Sequence, residues 1–205
     1  MTKLLIIESS IFPQGVSVSR AVTGKFIERW LAKHPGTQIV RRDLAANPVP
    51  YIAPALLMGA RKQPEERTAE ERAAAGLSDE LIGELFDADV IVIGAPMYNF
   101  SIPASLKSWI DAVAIAGRTF HYLADGTPEG LLKGKKAYIA ASRGGLYSEG
   151  PFTAMNFQDT YLRAMLGFLG ITDVRVIAAE RQMMGDEQKA LGSKIAERQI
   201  EELVA

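Results

Sequence analysis

Five short runs rich in valine and isoleucine constrain this chain most: KLLIIE (3 to 8), QIVRRD (38 to 43), ADVIVIGA (88 to 95), KKAYIAAS (135 to 142) and VRVIAA (174 to 179). Each has the length and β-branched content of a strand. The segments between them carry a helical period. Val18, Val22, Phe26 and Trp30 recur every four residues, Leu81, Leu85 and Phe86 precede the third run, and Ile195 and Leu203 mark a C-terminal helix. VIVIG is apolar on both faces, as a strand must be when helices cover both sides of its sheet. The expected fold is therefore α/β, a doubly wound five-stranded parallel sheet with helices on both faces. The charged stretch RKQPEERTAEERAAAGLSDE (61 to 80) reads as a solvated helical surface rather than a linker, because Ala and Glu favour helix.

Composition narrows the function classes. A chain of 205 residues, 48% hydrophobic, can bury a core and falls within the range of one domain, expected to span 1 to 205. A net charge of -1 with both signs interspersed offers no footprint for nucleic acid or an anionic membrane. The absence of cysteine excludes disulfides, thiolate catalysis and sulfur-ligated metal, and His34 and His121 lack ligand spacing, so no metal is expected. The apolar part of MTKLLIIESS is too short for a signal-peptide core, no run is long enough to cross a membrane, and a cytoplasmic location is expected.

In a sheet of this kind, ligands bind beyond the carboxyl ends of the strands, where strand order reverses. After the first strand, SSIFPQGVSVSR (9 to 20) places Ser9, Ser10, Ser17 and Ser19 around the start of a long helix. Hydroxyls beside the unsatisfied N–H groups of a helix N-terminus make an anion site. The plainer reading is that Ser17 or Ser19 caps the helix. The loop has neither GxGxxG nor GxxxxGK[ST], which points to a phosphate monoester rather than a dinucleotide or triphosphate. After the third strand, Pro96 and Pro103 bound a loop in which Met97, Tyr98 and Phe100 form an apolar wall and Asn99 offers an amide. That suits a flat heteroaromatic ring; capping of the core is the alternative. After the fourth strand, Gly144 and Gly145 within SRGGLYSEG (142 to 150) allow close backbone approach to a ligand, or a plain turn.

These segments, together with RDLAANPVP (42 to 50), LSDELI (77 to 82), APMYNFSIPASLKSWID (95 to 111), EGLLKGKKAYIAASRGG (129 to 145) and LGFLGITDV (166 to 174), resemble the FMN-dependent NADH-azoreductases nearly end to end. That family is similar in fold to flavodoxins and to NAD(P)H quinone reductases. The resemblance implies a flavodoxin-like fold in which Ser10, Ser17, Val18 and Ser19 bind the FMN phosphate. It also implies that Met97, Tyr98, Asn99 and Phe100, with Ser142, Arg143, Gly144 and Gly145, hold the flavin ring. The first loop departs from the family's commoner spacing by one residue.

By the same resemblance, the chain is expected to be an oxidoreductase that takes electrons from NADH or NADPH and passes them in pairs, by ping-pong exchange, to quinones or azo compounds. No side chain is assigned a catalytic role, because the flavin N5 carries the chemistry. The resemblance further implies a homodimer whose sites are completed by the partner. The insert RTFHYLADGTPEGLL (118 to 132) is longer than a simple crossover needs, and Phe120, Tyr122 and Phe168 are candidates to stack on the acceptor, Phe120 and Phe168 being equally compatible with the core. The other functional class is a flavodoxin-like electron carrier, or a flavin-binding redox sensor without turnover. Carriers tend to be acidic, and this near-neutral chain with its insert suits an enclosed substrate site better.

Overall fold

The computed structural model describes residues 1–204. In chain order the elements are β1 (Lys3–Glu8), α1 (Val18–Lys33), β2 (Gln38–Asp43), α2 (Pro54–Gly59), α3 (Ala69–Asp87), β3 (Val90–Pro96), α4 (Ala104–Val113), β4 (Phe120–Tyr122), β5 (Pro128–Gly130), β6 (Lys136–Ser142), α5 (Asp159–Phe168), β7 (Asp173–Ala179) and α6 (Asp186–Val204). The five apolar runs form one sheet in the order β2-β1-β3-β6-β7, and every neighbouring pair is parallel. The chain leaves β1 toward one edge and returns at β3 to build the other. The loops after β1 and β3 therefore part, opening a crevice at the carboxyl ends of the strands.

Alternation along the central strands supplies two cores. On one face Leu5, Ile7, Ile91, Ile93, Ala137 and Ile139 pack under α3, α4 and α5, with Leu81, Trp109 and Leu162 buried among them. On the other, Leu4, Ile6, Val90, Val92, Tyr138 and Ala140 meet Phe26 and Trp30 of α1 and Ala196 and Ile200 of α6. This explains why VIVIG needs no polar position: each of its residues is covered by a helix layer. Complete burial of a side chain such as Phe26 stabilises the fold by roughly 1.5–3 kcal/mol.

Three details differ from the pattern read in the sequence. Phe86 is exposed; the buried stripe of α3 runs through Ala75, Ser78, Leu81, Ile82 and Leu85. The buried stripe of α6 is Gly192, Ala196, Ile200 and Val204, while Ile195 and Leu203 are only half-buried. Within 61 to 80 the helix begins only at Ala69, after a 3₁₀ turn over Pro64–Glu66. Thr68 and Glu71 close a reciprocal capping box there, so TAEE carried a start signal. The insert folds as an antiparallel hairpin, with Phe120 opposite Gly130 and Tyr122 opposite Pro128.

Candidate functional site

Each of the three loops after β1, β3 and β6 is held by bonds that leave other polar groups free. In the first, Ser9 is fully buried and its hydroxyl donates to the Gly94 carbonyl at 2.7 Å, so it ties β1 to β3 and is unavailable to a ligand. Ser10 Oγ accepts from the Phe12 N–H at 3.2 Å. Ser17 caps α1, accepting from the Arg20 N–H at 3.3 Å, and lies 3.1 Å from the Ser19 hydroxyl. The capping reading and the anion reading thus coexist on one side chain. The Val18 and Ser19 N–H groups, in the first turn of α1, have no acceptor among the described residues.

In the second loop Met97 N–H donates to the Ser142 carbonyl at 2.8 Å, which fastens the loop to β6. Tyr98 and Ser101 exchange backbone hydrogen bonds of 2.9 and 3.1 Å around Asn99 and Phe100, which take φ of 48° and 70°. Two successive left-handed residues are the geometry of a type I′ turn, normally filled by Asn-Gly. A phenylalanine there stores strain on the order of 1–2 kcal/mol. The turn leaves the N–H groups of Asn99 and Phe100 without partners among the described residues, and the buried Tyr98 hydroxyl likewise has none.

In the third loop the guanidinium of Arg143, which lines the cleft, is engaged by the protein itself. The side chain is buried and donates to Gln158 Oε1 at 2.8 Å, to Glu180 Oε1 at 2.9 Å and to Asp159. A cation so surrounded by protein acceptors organises the loop. Gly144 and Gly145 carry N–H groups with no acceptor among the described residues.

A cleft of about 250 Å³ lies between the loops, lined by Ser10, Ser17, Val18, Met97, Tyr98, Ser142, Arg143 and Gly144. Ser19 is buried, and neither it nor Asn99, Phe100 and Gly145 lines the cleft directly. Phe120, Tyr122 and Phe168 do not line it either. Phe120 packs on Phe168 with ring centroids 4.5 Å apart, and Tyr122 is exposed. Phe12, Val16 and Pro96 line it as well, and so do Gln182, Met183 and Lys189; the last three follow β7, whose carboxyl end adjoins that of β6 through the Ser142–Ala179 pairing. Their signal was the fifth strand itself, because its exit faces the same edge as the other four.

Charge beneath the first loop is arranged around Arg20. Burial pushes the Glu8 carboxyl up to about 7, against the nearby Arg20 cation and with the Asp43 anion adding to the rise. The Asp43 carboxyl is held below its usual range, chiefly by hydrogen bonds from Arg20. Among the described residues no group of three or more His, Asp or Glu could hold a metal ion. No helix among them is long and apolar enough to cross a membrane.

A parallel sheet in this order, with unpaired backbone donors and serine hydroxyls in the loops after β1, β3 and β6, defines a flavodoxin-like α/β protein. The chain belongs to the family described as Flavodoxin-like fold, whose model matches residues 2–204. It is 53% identical over 200 residues to the FMN-dependent NADH:quinone oxidoreductase of Hyphomonas neptunium, covering 98% of this chain and 94% of that one. It is 54% identical to its counterpart in Herminiimonas arsenicoxydans, over 91% of each chain. Among solved structures, an azoreductase from Bacillus anthracis superposes with a TM-score of 0.89 at 30% identity, covering 100% of this chain and 97% of that one. An FMN-dependent NADH-azoreductase from the same species, solved in complex with FMN, superposes with a TM-score of 0.87 at 30% identity, covering 100% of both chains.

Proposed function

We propose that this chain is an FMN-dependent oxidoreductase that uses NADH or NADPH to reduce quinones and azo compounds in two-electron steps. The observation that carries this reading is a cleft lined by all three loops, with Ser10, Ser17 and Val18 from the first, Met97 and Tyr98 from the second and Ser142, Arg143 and Gly144 from the third, each loop carrying N–H groups without acceptors among the described residues: Val18 and Ser19, Asn99 and Phe100, and Gly144 and Gly145. The donor set fits FMN. A phosphate monoester is an acceptor for the N–H groups of Val18 and Ser19 and the serine hydroxyls at the positive end of the α1 dipole. A flat ring with carbonyl groups on one edge is an acceptor for the later loops, and Met97 and Tyr98 supply its apolar wall. When bound, FMN supplies the electron-pair chemistry that no side chain here performs. The chain's contribution is to orient the ring, to aim N–H dipoles at the edge where negative charge gathers on reduction, and to keep water from that edge. NADH versus NADPH is decided by groups that grip the ribose, which the cleft does not single out.

The chain is proposed to act as a single cytoplasmic domain that pairs with a second copy. Tyr51, Ile52, Leu57, Met58, Tyr122 and Leu123 are exposed on one chain, and covering them would give the pair an apolar interface. In such a homodimer the aromatic hairpin group of Phe120, Tyr122 and Phe168 is available to a site completed by the partner, although it lies outside the cleft of its own chain.

The test is an anaerobic titration of FMN-loaded protein with NADH, then with NADPH, followed by a benzoquinone. Loss of the visible flavin band and its full return on quinone addition is the expected result. Tight FMN binding with no loss of the band under either donor would overturn the reductase and leave the electron carrier or redox sensor.

A further inference from the structure

Glu180, the residue just beyond β7, belongs to none of the segments that suggested a cofactor, yet it gathers more donors than any ligand-facing residue. Its buried carboxylate accepts from Arg143 Nη1 at 2.9 Å, from the N–H groups of Tyr147 at 2.8 Å and Ser148 at 3.0 Å, and from the Ser148 hydroxyl. Arg143 in turn reaches Gln158 Oε1, and Gln158 Nε2 donates to the Ala95 carbonyl of β3 at 2.7 Å. One carboxylate thus anchors the far end of the 143–148 loop to the sheet.

The near end is latched by carbonyls. Those of Arg143, Gly144 and Gly145 accept from the N–H groups of Gln182, Met183 and Arg181 at 3.1, 2.9 and 2.9 Å. In a planar trans peptide the N–H points opposite to the C=O that precedes it. Directing these three carbonyls toward the loop after β7 therefore directs the N–H groups of Gly144, Gly145 and Leu146 the other way. None of the three has an acceptor among the described residues.

We propose that Glu180 is the positioning residue of this donor row: its carboxylate, by reaching Tyr147 and Ser148, holds the 143–148 loop so that the Gly144 and Gly145 N–H groups face the carbonyl edge of the flavin. The inference rests on the FMN reading and deepens it, because it assigns ring recognition to a residue that does not touch the ring. What matters is the reach of the carboxylate to the two amides; Arg143 keeps a second carboxylate partner in Asp159.

Reach and charge are separated by two substitutions. Glu180→Asp keeps the negative charge near Arg143 but withdraws by one methylene the oxygen Oε1 that accepts from Tyr147 and Ser148 as well as from Arg143. Glu180→Gln keeps the reach and a carbonyl acceptor for both amides but removes the charge. FMN affinity, read by quenching of flavin fluorescence well below the unfolding temperature, is expected to fall about tenfold in Glu180→Asp, the scale of one or two misaligned donors. It is expected to stay within about threefold of wild type in Glu180→Gln. A purely structural ion pair predicts the reverse order, with Asp the better replacement. Wild-type affinity in Glu180→Asp, or Gln weaker than Asp, would overturn the proposal; should Glu180→Gln fail to fold, the Asp variant decides alone. Failure of the unmodified chain to bind FMN would instead overturn the flavin reading itself, and this inference with it.

Discussion

Arg20 grips both carboxylate oxygens of Asp43, Nη1 to Oδ2 at 2.8 Å and Nη2 to Oδ1 at 2.9 Å, and the same guanidinium donates to the carbonyls of Ser10 at 2.9 Å and Phe12 at 3.0 Å. A planar fork with fixed donors is suited to such simultaneous contacts, and lysine is not. Arg20 therefore sets the course of the 10–12 loop by tying it to the end of β2. Arg20→Lys is expected to weaken FMN binding by about tenfold, with the loss concentrated in phosphate recognition. Comparing FMN with riboflavin, which lacks the phosphate, checks this: the variant should lose the preference for FMN while its riboflavin affinity stays the same. The Asp43 carboxyl is held low by this pair. Its stabilising contribution is present above its ordinary value near 3.8 and is lost as pH falls through the folded-state value, so Arg20→Lys should also flatten the acid limb of the unfolding curve.

Glu8 runs the opposite way. Burial raises its carboxyl to about 7 from an ordinary 4.5, and its Oε2 has no hydrogen-bond partner. The folded chain therefore binds more protons than the unfolded chain between these values. Stability is full below the ordinary value and falls as pH rises through about 7, by about 3 kcal/mol if the whole shift is expressed. Denaturant unfolding across this range should show that decline in the wild type and its absence in Glu8→Gln, which cannot ionise. Parallel profiles for the two proteins would mean that another group carries the pH dependence.

The sheet and the cleft's location were legible because both follow from local pattern: apolar runs of strand length, and serine, proline and glycine at their exits. Ser17 illustrates the limit. Its pattern supported a cap and an anion site equally, and the folded chain uses one hydroxyl in a position compatible with both. Arg143 and Glu180 were not legible, because their roles depend on the Ser142–Ala179 register that brings the exits of β6 and β7 together, a long-range relation with no local signature. Phe86 was misplaced for a smaller reason. Leu81 and Leu85 define the buried stripe of α3, and the next residue rotates about 100° away from it.

The Asn99–Phe100 turn links strain to recognition. Asparagine tolerates the left-handed region, whereas a β-branched residue does so poorly. Asn99→Val should cost about 1–2 kcal/mol of stability. It should also weaken FMN binding, because relief of the strain rotates the two free N–H groups. Asn99→Gly, which adopts φ of 48° without cost, should match or exceed wild-type stability. Thermal unfolding and FMN titration of the two variants check both halves of the expectation.

Gly130 provides the means to separate the hairpin from the cleft. A Cβ at this position would lie 2.1 Å from Gly170 N and 2.1 Å from Leu169 C, both backbone atoms that cannot swing aside. Two residues on, Leu132 N–H donates to the Leu169 carbonyl at 2.9 Å, so the end of the hairpin is seated directly on the turn between α5 and β7. Gly130→Ala must push the strand off that turn and disturb the contact of Phe120 with Phe168. A stability loss of about 1–3 kcal/mol is expected, the usual cost of overpacking. None of these residues lines the cleft of its own chain, so the folded variant held at a concentration where it is a monomer should bind FMN as the wild-type monomer does. In the proposed homodimer, where the hairpin helps to complete the partner's site, quinone turnover should fall while FMN affinity is retained. Sedimentation, FMN titration and steady-state turnover on the same preparation distinguish these effects. Unchanged turnover in a demonstrably dimeric variant with a displaced hairpin would remove Phe120, Tyr122 and Phe168 from the acceptor site altogether.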